Sequence, residues 1–266
     1  MRTAAGLAYR ESGPADGPVA LLVHGYPESS WMWASLLEAL AGAGWRGVAP
    51  DLAGFGDSPP ASSGTWQRHV ESLERFVAEL GLPRVALVVH DWGGLIGLRW
   101  ACDHPGAARA LVVSDTGFFP DGRWHGLADA MRTPGTGEEL VDGMTREGFG
   151  AALGAMSTGI DERAVDEYFK AFGDEARRRG QLELYRSGEF SELAAYEGRL
   201  AALGVPALVL WGGEDPFAPV VGAHRFAREL PGAELVVLDG VGHFVFDDAP
   251  HAANDAVVKF LQALDG

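Results

Sequence analysis

"VALVVHDWGGLIGL", residues 85–98, is the stretch on which the reading of this chain turns. Val85, Ala86, Leu87, Val88 and Val89 form an unbroken apolar run of strand length, as expected for a strand buried on both faces of a parallel sheet. Leu95, Ile96 and Leu98 then resume at helical spacing, leaving only His90, Asp91, Trp92, Gly93 and Gly94 to turn the chain. An acid stands at the apex of a sharp strand-to-helix turn, at the carboxyl edge where α/β sheets bind their ligands. A carboxylate that merely occupies a turn is solvated and costs little. This one is backed by glycines and walled by an indole, so its purpose has to be sought in the rest of the chain.

The chain has 266 residues, 47% hydrophobic and 22% charged, enough for one large α/β domain or a domain carrying an insertion. A formal net charge of −16 argues against partners that need basic patches, so neither nucleic acid nor an anionic membrane is expected. Arg177, Arg178 and Arg179 make a short basic run, read as a solvated helix face. The single cysteine, Cys102, allows no intrachain disulfide and no cysteine-based zinc site, and is read as a small buried hydrophobe. The opening residues lack the apolar core of a signal peptide and no run reaches membrane-spanning length. A cytoplasmic monomer or homodimer is therefore expected.

Short apolar runs ending in turn residues predict strands at 19–24, 47–50, 85–90, 110–114, 207–211 and 234–238. Amphipathic stretches predict helices at 31–41, 66–80, 95–102, 221–230 and 251–264. Their alternation implies a mostly parallel sheet with helices on both faces. It breaks between about Gly117 and Leu203, where only helical periodicity is found ("LADAMR", "EELVDGM", "ERAVDEYFKAF"). The expected organisation is an α/β core over residues 1–116 and 204–266, with a helical insertion over 117–203.

"GAGWRG", residues 42–47, matches the G-x-G-x-x-G pattern, but it ends a helix and precedes a strand, the reverse of what dinucleotide binding requires. The apex at Asp91 is more informative. In hydrolases the equivalent elbow carries serine in G-x-S-x-G; here His90, Asp91, Trp92 and Gly93 put aspartate in that place. "LWGGEDPFAP" sets Asp215 just past a strand, and "DGVGHFVFDD" sets His243 in a glycine-rich loop after the last one. The chain order nucleophile, acid, histidine at successive strand ends is that of the elbow enzymes. Asp115, at the end of the strand after the elbow, is an alternative acid; Asp215 in "GGEDPF" is preferred. After "LLVHG", the backbone N–H of Tyr26 and that of Trp92 would form an oxyanion hole. His24 and His90 are read as loop braces, and Tyr168 as packing.

On these motifs the chain resembles the α/β-hydrolase superfamily over nearly its whole length, and within it the aspartate-nucleophile branch of haloalkane dehalogenases and epoxide hydrolases. The resemblance implies a helical cap over the active site, a small apolar organic substrate, and no metal or cofactor. It implies an alkyl ester on Asp91, formed by displacement at an sp³ carbon and hydrolysed by water that His243 activates, with Asp215 orienting the imidazole. For the departing group, "VVHDWGG", "SSWMW", "GHFVFDD" and "VSDTGFFPDG" look like dehalogenases, which use the indole N–H after the nucleophile, here Trp92, and a second N–H. Trp124 is a candidate for that second donor or a plain cap-packing residue, and Phe118 a candidate pocket wall. "HGYPES" and Tyr185 in "ELYRSGEF" look instead like epoxide hydrolases, whose cap tyrosines act as acids; the other cap position aligns with Leu127, which is apolar. Haloalkane dehalogenation is the first expectation and epoxide hydrolysis, with Tyr185 as acid, the alternative. An esterase using Asp91 only as a base, or a non-catalytic ligand-binding member of the fold, are the remaining readings.

Overall fold

A computed structural model of the protein describes residues 1–264. Eight strands run β1 (Arg2–Ala4), β2 (Leu7–Ser12), β3 (Val19–Val23), β4 (Arg46–Pro50), β5 (Val85–His90), β6 (Ala108–Ser114), β7 (Ala207–Gly212) and β8 (Glu234–Leu238). They form one sheet in the order β1-β2-β4-β3-β5-β6-β7-β8, antiparallel at β1, β2 and β4 and parallel from β4 to β8. This is the α/β-hydrolase architecture. The strand order jumps at β3, so the crossovers place helices on both faces.

The parallel strands match the apolar runs. Every residue of β3, β5 and β7 is buried, which is why these strands read as continuous hydrophobic stretches and not as alternating ones. The edge strand β8 behaves differently, with Glu234 and Leu235 exposed. The sequence reading did not anticipate β1 and β2. They are a hairpin whose pairing of Ala4 with Leu7 leaves a two-residue turn, Ala5 at φ 48° and Gly6 at φ 82°. Positive φ at both turn residues is the primed geometry that suits strand twist, and Gly6 was its only sequence cue.

Around the sheet lie α1 (Ala34–Gly42), α2 (Trp66–Glu79), α3 (Trp92–Asp103), α10 (Val221–Glu229), α11 (Val245–Asp248) and α12 (Pro250–Ala263). Between β6 and β7 the regular elements are helical: α4 (Gly126–Arg132), α5 (Thr136–Asp142), α6 (Arg146–Gly154), α7 (Glu162–Phe169), α8 (Glu175–Arg186) and α9 (Arg199–Ala202), with short 3-10 turns. Helix α3 begins directly at Trp92, three residues before the expected start, because Asp91 is its N-cap.

Polar ties anchor these helices to the loops of the sheet. Arg177 donates to the carbonyls of Gly54 (3.0 Å) and Gly56 (3.2 Å), and Ser187 Oγ accepts from Trp66 N–H (2.8 Å). Asp248 accepts from Ser157 Oγ (2.6 Å) and Thr158 N–H (2.8 Å) at the opposite rim. The arginine run is therefore no idle solvated face: Arg177 clamps α8 to the loop after β4, and Arg178 and Arg179 hold Asp142 at 2.9 and 2.6 Å. Among the described residues no helix is long and apolar enough to cross a membrane. Cys102 is buried, and burial pushes its thiol up to about 12.

Ala5 occupies a left-handed conformation that costs an alanine roughly 1–2 kcal/mol. Ala5→Asn, which completes an Asn-Gly turn, is expected to stabilise the fold by about 0.5–1 kcal/mol in urea unfolding. A loss of stability would contradict this account of the hairpin.

Candidate active site

Strands β5, β7 and β8, with β6 between the first two, deliver the predicted residues to one edge of the sheet. Asp91 follows β5, Asp215 follows β7, and His243 lies in the loop after β8. The elbow is strained: Asp91 sits at φ 48° and ψ −123°, a region where a non-glycine residue costs about 1–3 kcal/mol. Its carbonyl accepts from Gly94 N–H (2.8 Å) and Thr116 Oγ (2.6 Å), which hold the turn. The surrounding glycines are required by close approach. A Cβ on Gly93 would lie 2.0 Å from the Val23 carbonyl oxygen, and one on Gly25 would lie 2.4 Å from Asp91 Cβ.

The carboxylate is held asymmetrically. Asp91 Oδ1 accepts from Tyr26 N–H at 2.7 Å, while Oδ2 lies 3.7 Å from His243 Nε2. Of the two expected oxyanion donors, only the Tyr26 amide makes this bond among the described residues. His243 Nδ1 pairs with Asp215 Oδ2 at 2.7 Å, and Asp215 Oδ1 accepts from Phe217 N–H (2.7 Å) and Ala218 N–H (3.0 Å). With Nδ1–H donated to Asp215, the lone pair of His243 is left on Nε2, facing Asp91. Burial alone would lower His243, but the Asp215 charge and hydrogen bond raise it above 6.5. Burial opposes ionisation of Asp215, yet the His243 charge and the two amides hold it below its ordinary value.

Asp115 stands behind this pair without bonding to His243. It accepts from Ser114 Oγ (2.6 Å) and Gly212 N–H (2.9 Å), and burial pushes its carboxyl up to about 8. One ligating atom each from Asp115, Asp215 and His243 falls within 4.8 Å of the others, close enough for a cation. Their oxygens and Nδ1 are already committed to hydrogen bonds inside the protein, which makes the trio a poor metal cradle.

The loop histidines brace, as their positions implied. His24 donates from Nδ1 to the Gly25 carbonyl (2.8 Å) and accepts at Nε2 from Leu52 N–H (2.9 Å). His90, fully buried, reaches Glu28 Oε2 (2.8 Å) through Nδ1 and donates from Nε2 to the His243 carbonyl (2.9 Å). It thereby ties the end of β5 to the loop that carries His243.

Two cavities, of about 330 and 310 Å³, meet at Asp91, and both are walled by His125 and Phe217. The first is apolar, with Leu127, Leu140, Met144, Phe149 and Phe172 among its walls; the second runs along Trp92 and Trp124. Tyr185 is buried in the first, its ring 5.2 Å from both Trp92 and Tyr26 in edge-on contacts. Burial, with the Asp91 charge adding to it, raises Tyr185 well above 10 and keeps it a phenol, while a hydrogen bond from the Trp92 indole pulls the other way.

One sequence expectation needs correction, and another is resolved between its two alternatives. Trp124 lines the second cavity and stacks on Trp92 (5.6 Å, 25°), with its indole N–H turned to Glu189 at 3.4 Å, so it packs at the site and does not aim its N–H at Asp91. Phe118 lines neither cavity at Asp91; it packs edge-on against Tyr196 at 5.7 Å around a separate hollow. Conversely, His125 and Phe217 were not singled out. No motif marks His125, and Phe217 was seen only as the residue after Asp-Pro.

Comparison with known proteins identifies the family. The family model described as the alpha/beta hydrolase fold matches residues 18–250. A haloalkane dehalogenase of Mycobacterium marinum is 35% identical over 272 residues, covering 95% of this chain and 87% of its own length. The crystal structure of the haloalkane dehalogenase DbeA from Bradyrhizobium elkani superposes with a TM-score of 0.87 at 26% identity, covering 99% of this chain and 97% of that one. An epoxide hydrolase from Vigna radiata does so at 0.80 and 26%, covering 98% and 96%.

Two buried groups near the site make stability fall with pH. Asp115 stays protonated in the fold up to about 8 but ionises near 3.8 when unfolded, and burial is the cause. Burial would lower His90, but the Glu28 carboxylate carries it up to about 10 from 6.5. The folded state therefore binds more protons than the unfolded chain across pH 6.5–10. The unfolding midpoint is expected to drop steadily over that range, and less so in a His90→Gln/Glu28→Gln double variant; a midpoint that rises between pH 6.5 and 10 would refute the assignment.

Proposed function

The chain belongs to the alpha/beta hydrolase fold family, and we propose that within it the protein is a hydrolase of the aspartate-nucleophile kind, removing halide from a small apolar haloalkane. The observation that carries this reading is the Asp91 carboxylate at the elbow, one oxygen bonded to Tyr26 N–H and the other lying where an apolar cavity meets the one that runs along Trp92. Serine at such an elbow serves acyl carbons. A carboxylate is a weak nucleophile in water, but desolvated and aimed at an sp³ carbon it can displace a leaving group. The dehalogenase relative at 35% identity supports the same choice.

In this mechanism Asp91 Oδ2 attacks the carbon and the carbon–halogen pair leaves with the halide. Oδ1 becomes the carbonyl oxygen of the alkyl ester, already bonded to Tyr26 N–H. His243 Nε2 then takes a proton from water, whose oxygen adds to Cγ of Asp91 as the oxyanion develops on Oδ1; when that oxyanion collapses the Cγ–Oδ2 bond breaks, and the alcohol leaves with Oδ2 and the proton returned by His243. Removing a donor from such an oxyanion typically costs about 2.7–4 kcal/mol. Asp215 holds the imidazole in the required tautomer and stabilises its charged form. No metal or cofactor takes part. Helices α4–α9 serve as the cap, dividing the chain into core (1–116 and 204–266) and cap (117–203), and Leu140 and Phe149 on those helices, with Met144 on the connection between α5 and α6, exclude water from the ester.

A second reading is favoured by Tyr185. Its buried phenol beside Trp92 and Asp91 is suited to protonate a ring oxygen, which is what epoxide opening needs. Incubation with bromoalkanes and with styrene-type epoxides separates the two: halide release is expected, and diol without halide would replace the first reading by the second.

His243→Gln is expected to release one equivalent of halide and stop, with mass spectrometry finding the alkyl group on Asp91. No adduct from any haloalkane or epoxide would leave a ligand-binding role. Asp215→Asn should slow ester hydrolysis on the order of 10³–10⁴-fold while alkylation persists. The acid limb of wild-type hydrolysis should lie above pH 6.5, since Asp215 raises His243, and should move down when that charge is removed.

A further inference from the structure

We propose that His125 is a further catalytic residue of this site, donating a hydrogen bond from its Nε2–H to the halide as it departs from the carbon that Asp91 attacks. The inference rests on the displacement reading above. A halide leaving into an apolar cavity develops a full charge, which needs N–H or O–H donors in place of water. Trp92 brings one indole, which it shares with the Tyr185 phenol, and Trp124 spends its N–H on Glu189. A second donor has to come from the rest of the wall, where Tyr185 lines only the first cavity.

His125 stands in the right place. It lines both cavities that contain Asp91, and its ring packs 4.9 Å from Phe217, whose ring is 5.2 Å from His243. Its tautomer follows from local structure. As N-cap of α4, His125 accepts the Ala128 N–H at Nδ1 (3.3 Å), so the lone pair is on Nδ1 and the ring proton on Nε2. Nε2 itself bonds to no atom of the described residues. Burial lowers the imidazole below 6.5 and outweighs the pull of the Asp91 and Asp215 charges, so the ring stays neutral.

Neutrality matters chemically. An imidazolium facing Asp91 would pair with the carboxylate and blunt its attack, whereas a neutral N–H serves the departing charge only. The balance is simple: an Asp91 Oδ2 lone pair forms the carbon–oxygen bond, the carbon–halogen pair leaves with the halide, and His125 keeps its proton throughout.

Two variants separate the donor from the cap. Asn places its amide where Nδ1 lies, keeping the α4 cap and losing the donor; Gln reaches the Nε2 position, keeping a donor and losing the cap. Both are made in the His243→Gln background, and single-turnover alkylation of Asp91 is followed with chloro-, bromo- and iodoalkanes of one chain length, beside the unfolding midpoint. His125→Asn should slow alkylation by about 10²-fold, most for chloride and least for iodide, at an unchanged midpoint. His125→Gln should stay within a few-fold in rate while its midpoint falls. Alkylation by His125→Asn at the parent rate would overturn the proposal, as would equal slowing in both variants with no dependence on the halogen. If the His243→Gln parent itself forms no adduct with any haloalkane, the displacement reading fails, and this inference with it, before His125 is touched.

Discussion

The whole site depends on one backbone constraint, the left-handed turn at Asp91. At φ 48° the chain leaves β5 and enters α3 without a loop, so the carboxylate projects from the sheet edge. That turn is held through its own carbonyl by Gly94 and Thr116, and it is reachable only because Gly25 and Gly93 let the β3 loop run against it. The Tyr26 amide then fixes one carboxylate oxygen and frees the other. Strain, glycines and asymmetric bonding are one device.

Behind the elbow the protein gathers acids and imidazoles that would be unstable if they were all charged. Asp215 and His243 form the ionic pair at the front, with Asp215 neutralised by two amides as well as by the ring. Asp115 stays protonated, and His90 pairs with Glu28 while holding the carbonyl of His243. Each charge has a partner or is suppressed, which is the condition for burial. The same arrangement keeps His243 Nε2 free to face Asp91.

The core and the three residues at its edge were legible in the chain. Buried parallel strands are unbroken apolar runs, and sharp turns at their ends need glycine, so Asp91, Asp215 and His243 stood out by position. The hairpin β1–β2 was less visible because it is short and partly exposed, with Gly6 as its only turn cue. Phe118 was misplaced because an aromatic residue in a loop is expected to be buried, without any sign of which of several hollows it faces. Arg177 was misjudged for a related reason: its partners are the carbonyls of Gly54 and Gly56, more than a hundred residues away.

The sequence by itself determined the fold class, the elbow with aspartate in the nucleophile seat, and the acid–histidine order, since these follow from local periodicity and turn chemistry. Only the tertiary structure decided that His243 bonds to Asp215 and not to Asp115, that Trp124 turns its N–H away, and that His125 looks into both cavities. Those outcomes depend on how helices from a distant part of the chain pack over the sheet edge. Long-range packing sets the direction of a side chain, and no local pattern records it.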